Sequence, residues 1–182
     1  MPVRRKTIRS IVDRLLIRHS IDSKPIDLDR IADALGVEVR REPAPDELSG
    51  FIIRDTAHQK VLIGINSRHH KVRQRFTLAH EIGHFLLHEG ERVHVDRTDR
   101  IFYMKKRNER SREGTDIEEI EANVFAAELL MPASFIERDL DRIGPIDPLG
   151  NEDTLKKLAK EYGVSYQAFL FRVANLGYVN LE

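Results

Sequence analysis

The chain has 182 residues, balances 30 Lys+Arg against 30 Asp+Glu, and contains no cysteine. Its length accommodates one domain with a real core and excludes two full-sized enzyme domains, while zero net charge removes any global field toward nucleic acid or an anionic membrane. Without thiols there are no disulfides, no thiolate zinc site and no cysteine nucleophile, so a metal here must be held by histidines and carboxylates.

The opening stretch "MPVRRKTIRSIVDRLLIRHS" is basic and amphipathic and lacks the continuous apolar run of a signal peptide. No segment approaches the roughly 18 apolar residues of a membrane span, so a cytoplasmic location without membrane contact is expected. Ile8, Ile11, Val12, Leu15 and Leu16 recur at helical spacing, and "IDLDRIADALGVEV" predicts a second short helix stopping at Gly36. The period then changes. "VEVRRE", "LSGFIIRD" and "KVLIGIN" are short β-rich runs separated by Pro43, Pro45, Gly50 and a polar turn, which predicts a small, mostly antiparallel sheet of three strands.

From Ser67 to His88 a long, largely buried helix is expected. Residues 89–115 are charged, with one β-like patch "RIFYM", and are expected to form an active-site loop or an edge strand. A further helix is predicted from Thr115 or Asp116 to Leu130, then a short one over "PASFIERDLDRI". "GPIDPLGNED" is a linker, and "TLKKLAKEYGVSYQAFLFRVANLG" contains two short helices joined at Gly163.

The chemistry concentrates in "HEIGHFLLH", residues 80–88. His80 and His84 are one turn apart, separated by about 6 Å of rise and about 40° of rotation, which lets both imidazoles reach one tetrahedral zinc ion. Glu81 is displaced by about 100° around the helix and is the candidate general base. His88 lies about 12 Å along the axis from His80, too far to share the ion, and is expected at the helix end or behind a ligand. Gly83 within this helix implies close approach of other backbone.

A third ligand must come from elsewhere, and "TDIEEIEANVFAAELLMP" is the richest source. A helical wheel started at Ile117 groups Val124, Glu128, Glu121 and Phe125, with Ile120 and Met131 beside them. Glu121 then falls inside the apolar stripe, where it needs a cation, and is the expected third ligand. Glu118 and Glu119 are expected to be solvated. Glu128 shares the face of Glu121 and is a weaker ligand candidate, or a residue that orients a histidine. Tyr103, His94 or His70 could supply an oxyanion donor.

"HEIGHFLLH" followed by "IEANVFAAELLMP" resembles the ImmA/IrrE family of zinc metallopeptidases, and the resemblance extends from "PIDLDRIADALGVEV" to the tail "LAKEYGVSYQAFLFRVANLG". It implies an α+β, zincin-like fold with a small antiparallel sheet: a metallopeptidase domain over 1–148 and a small helix-turn-helix-like helical unit over 149–182 packed on it. It also implies one zinc on His80, His84 and Glu121 with water in the fourth position, and Glu81 as catalytic base; such a ligand set also accepts manganese or iron. Family members resemble site-specific proteases that inactivate helix-turn-helix repressors in mobile-element, stress-response or toxin–antitoxin-like regulation. Larger members carry an added sensory domain, which a chain ending at Glu182 is expected to lack.

Two features bear on partners. The tail has the A-x3-G-V-S spacing of a helix-turn-helix, yet its second helix begins with Tyr166 and Gln167 rather than basic groups, so packing or partner docking is favoured over DNA binding. Residues 96–112 carry seven Lys/Arg, including Lys105, Lys106 and Arg107, and are expected to help hold the substrate, with a solvated basic face as the alternative. A non-proteolytic partner-binding or DNA-binding regulatory module that retains zinc is the competing function. Oligomeric state is not encoded in any motif.

Overall fold

The structure, a computed structural model, describes residues 3–55, 57–88, 93–97, 109–143 and 150–179, with backbone alone for 93–97 and 109–116. Helix α1 (Arg5–Arg18) buries Ile8, Val12, Leu15 and Leu16, the predicted stripe, and packs along the later helix α4 (Glu109–Leu130). Helix α2 (Leu28–Ala34) starts where the Asp27 carboxylate accepts from the Arg30 amide, and the chain turns out of it at Gly36 with φ +72°. A side chain would resist that left-handed conformation.

Strands β1 (Val37–Glu42), β2 (Leu48–Asp55), β3 (Lys60–Asn66) and β4 (Val93–Arg97) make one sheet in the order β1-β3-β2-β4. Antiparallel pairs join β2 to β3 and to β4, while β1 runs parallel to β3. The sheet is mostly antiparallel, as expected, but has four strands rather than three and one parallel pair. β1 is the strand before β2 in sequence, but β3 lies between them in the sheet, and such non-local pairing leaves no mark in local hydrophobic periodicity. The fourth strand comes from the 89–115 stretch; "RIFYM" lies outside the described residues.

Helix α3 (Lys71–Leu87) lies against β2 and β3. Contact is close because Gly50 has no side chain: a β-carbon there would stand 2.5 Å from Thr77 Cγ2. Helix α4 begins at Glu109, well before the predicted Thr115 or Asp116. A polar helical turn with Gly114 carries no apolar period to announce it, and Gly costs a helix only about 1 kcal/mol.

Helices α5 (Ala133–Asp141), α6 (Glu152–Tyr162) and α7 (Tyr166–Asn175) follow. α6 ends at Gly163, again left-handed at φ +67°, and α7 is capped by Ser165, whose hydroxyl accepts from the Ala168 amide. Ile52 and Ile63 of the sheet, Ile82 of α3, Phe125 of α4 and Tyr162, Phe169 and Val173 of α6 and α7 belong to one buried apolar cluster. Two polar anchors reinforce it. The Tyr162 hydroxyl donates to Asp139 at 2.6 Å, where Lys24 also binds, and Arg172 grips Glu128 at 2.9 and 2.5 Å. No helix among the described residues is long and apolar enough to cross a membrane.

Candidate metal centre

His80, Glu81 and His84 all lie in the buried part of α3. Their local cause is the i, i+4 spacing; their environment is set by α4, which crosses where Gly83 removes a side chain. A β-carbon at 83 would stand 3.2 Å from Ala122 Cα and 3.1 Å from Phe125 Cδ1. Close approach at this point brings Asn123 and, one turn earlier, Glu119 over the histidines.

The Nε2 atoms of His80 and His84 face each other at 3.0 Å, and the Glu119 carboxylate oxygens lie 3.5 Å from the first and 3.3 Å from the second. These three side chains form a group that could hold a metal ion. Glu119 is therefore drawn into the cluster, contrary to its expected solvated role, and Glu121 is not part of it. The wheel started at Ile117 places Ile120 beside the apolar arc, yet Ile120 is 43% exposed; the contact of Ala122 with Gly83 sets the phase instead.

Glu121 is buried, as its place in the stripe requires, and the cation it needs is Arg4. Arg4 donates its backbone N–H at 3.0 Å and its guanidinium at 2.9 and 2.5 Å, and this holds the carboxyl at a pKa of about 2. His88 links Glu121 to His84, with Nε2 at 3.3 Å from Glu121 Oε2 and Nδ1 at 3.3 Å from His84 Nδ1.

One tautomer assignment satisfies the Nδ1 contacts of His80 and His84 and the contact of His88 with Glu121. His80 Nδ1–H donates to Asn123 Oδ1 at 3.0 Å, His84 Nδ1–H donates to His88 Nδ1, and His88 Nε2–H donates to Glu121. Both Nε2 lone pairs then point at one another and at a carboxylate, an arrangement that a cation stabilises. In tetrahedral zinc, ligand atoms about 2 Å from the ion stand roughly 3.3 Å apart. The 3.0 Å between the two Nε2 atoms is close to that value, Glu119 turns one oxygen toward each imidazole, and imidazole and carboxylate donors suit the ion.

Glu81, fully buried, occupies the turn between the two histidines. Arg54 donates to the carbonyls of His84 and His88 at 2.7 and 3.2 Å, satisfying the C-terminal end of α3. Burial lowers the Arg54 pKa, and the charges of Glu81 and Glu118 oppose the shift.

The sequence model of the IrrE N-terminal-like domain, Peptidase_M78, matches residues 32–174. The chain belongs to this ImmA/IrrE family of metallopeptidases. It is 38% identical over 123 residues to the radiation response metalloprotease IrrE of Deinococcus deserti, covering 66% of this chain and 37% of the relative. It is 38% identical over 120 residues to the protein of the same name from Deinococcus radiodurans, covering 64% and 31%. The matched part thus spans about a third of these relatives. A Mycobacterium tuberculosis transcriptional regulator is similar in fold, with a TM-score of 0.56 at 12% identity over 93% of this chain and 46% of that one.

Within this family member, the other expected site residues divide by location. His70 caps α3, its Nδ1 accepting from the Val72 amide at 3.3 Å. Glu128 is bound by Arg172 and by Arg9 at 3.2 Å, so it neither joins the cluster nor touches a histidine there. The backbone of His94 pairs with Ile52 in β4, its side chain lying outside the description; Tyr103, Lys105, Lys106 and Arg107 lie outside the described residues. Asn123 and Arg4 had no signal in a local motif. Asn123 lies one helical turn after Glu119, so the correct phase for one residue would have identified both.

Proposed function

We propose that the chain is a zinc-dependent endopeptidase in which His80, His84 and Glu119 hold the ion and Glu81 is the general base. The observation that carries this reading is the convergence of two imidazole Nε2 atoms and one carboxylate, with a buried glutamate on the intervening turn. Zinc, when bound, supplies a Lewis acid that polarises the scissile carbonyl and acidifies water. Glu81 takes the proton from the attacking water and delivers it to the leaving amine. Asn123 and His88 keep both ligand imidazoles in the Nδ1–H tautomer, with Nε2 available to the ion.

The substrate in this reading is a helix-turn-helix repressor, cut in an extended linker or a locally unfolded segment. Support for this substrate comes from the family resemblance alone; separately, Arg172, the basic residue of α7, is committed to Glu128 and to the Met131 carbonyl, which removes it from any DNA-reading role and weighs against DNA binding by this chain. Co-expression with candidate helix-turn-helix regulators, followed by mass spectrometry, tests both parts. A defined cut that vanishes in Glu81→Gln is expected. A stable complex without a cut, with zinc bound, favours the non-proteolytic binding module.

A further inference from the structure

Beside the metal cluster lies an open groove of about 930 Å³ between α1, the start of α3, α4 and α7. Three large apolar side chains stand exposed in it: Phe76 at 39%, Ile120 at 43% and Phe171 at 54%. They come from three different helices. Exposed apolar residues scattered singly need no explanation, but three converging on one concavity mark a binding surface. The groove also runs up to the site, because Asn123 in its wall bonds His80 and the Phe76 ring centroid is 6.2 Å from that of His80.

Its charge is one-sided. The described lining residues include Arg5, Arg9, Arg73 and the buried Arg172 and one carboxylate, Glu128, which Arg172 and Arg9 bind. The whole chain carries no net charge, so this excess is local. Apolar contacts under a cationic rim complement a peptide with apolar residues on one side and carboxylates on the other. They fit duplex DNA poorly, since its backbone offers nothing to Phe171 and Ile120. The segment 98–108 of this chain, with Arg100, Lys105, Lys106 and Arg107 against Asp99, has the wrong charge to fill the groove.

We infer that this groove docks an acidic amphipathic segment of the protein substrate, apart from the bond that is cut. The inference rests on the endopeptidase reading for the identity of the ligand as a substrate, and binding is measured separately from cleavage. The probe is a short fluorescein-labelled peptide with leucines on one helical face and glutamates on the other, alongside a twin with lysines in place of the glutamates. Anisotropy is measured with the full chain carrying Glu81→Gln, with and without zinc. The acidic peptide is expected to bind at least roughly tenfold tighter than its twin, independently of zinc, and more weakly as salt rises.

Phe171→Glu and Arg5→Glu, each in that background, should weaken binding by roughly tenfold while the thermal midpoint and zinc content stay unchanged. Equal binding of the two peptides, no binding of either, or unaltered affinity in both variants overturns the inference. So does a DNA duplex that binds where the acidic peptide does not and is lost in Arg5→Glu. If docking fails while the Glu81-dependent cut persists, the groove assignment falls alone; docking without any cut leaves the groove and removes the protease reading.

Discussion

Ala122 of α4 stands directly over Gly83 of α3, its Cα 3.2 Å from the place a β-carbon at 83 would occupy. The contact fixes both the spacing and the rotational phase of the two helices that carry His80, His84 and Glu119. Gly83→Val forces the helices apart against Ala122 and Phe125, an overpacking cost of about 1–3 kcal/mol. A lower thermal midpoint together with weakened zinc binding is the expected result. Wild-type zinc affinity in a folded Gly83→Val protein would show that this contact does not position the site.

Glu119 and Glu121 are separated by the geometry, and metal analysis separates them in solution. Glu119→Ala should lose stoichiometric zinc. Glu121→Ala should keep one ion per chain at an affinity reduced by roughly 10–100-fold, because it acts through His88. The reverse pattern would return the third position to Glu121.

Arg4 and His88 are positioning residues in the same chain of contacts. Arg4→Ala leaves the Glu121 carboxylate, 2% exposed, with its principal donor removed, at a cost of about 1–3 kcal/mol. His88→Ala removes the acceptor of His84 Nδ1–H and should weaken zinc binding by roughly tenfold or more. His88→Asn, which can still accept that hydrogen bond, should restore part of the affinity. A merely structural role would lower the thermal midpoint in both variants without changing zinc affinity.

Asp139 ties α5 to Lys24 and Tyr162. Burial pushes its carboxyl pKa upward, but the hydrogen bonds from Lys24 and Tyr162 outweigh burial and hold it below 3.8. A depressed carboxylate contributes stability above its unfolded pKa and loses it as pH falls through the folded one. The stability difference between wild type and Asp139→Asn, followed by denaturant unfolding, should therefore be constant above about pH 5 and shrink below about pH 4. A difference independent of pH down to acid unfolding would remove the Asp139 charge from the anchor. The Tyr162 hydroxyl, buried and donating to Asp139, titrates well above its ordinary range and plays no part in this window.

Local spacing alone determined that His80 and His84 share a face with Glu81 a turn's fraction away, because helix geometry relates residues four apart wherever the helix sits. The burial of Glu121 and its need for a cation were equally legible, as were the stripe of α1 and the stops at Gly36 and Gly163. Which cation answers Glu121 was not: Arg4 is 117 positions away, and no pattern within one element refers to the other. Nor could the wheel of α4 choose Glu119, because Ile120, the apolar residue beside it, is exposed into the groove rather than buried. Tertiary packing decided these points. The phase of a helix whose two flanks are both partly apolar is set by its closest contact, and that contact requires Gly83 and Ala122 to meet across two helices.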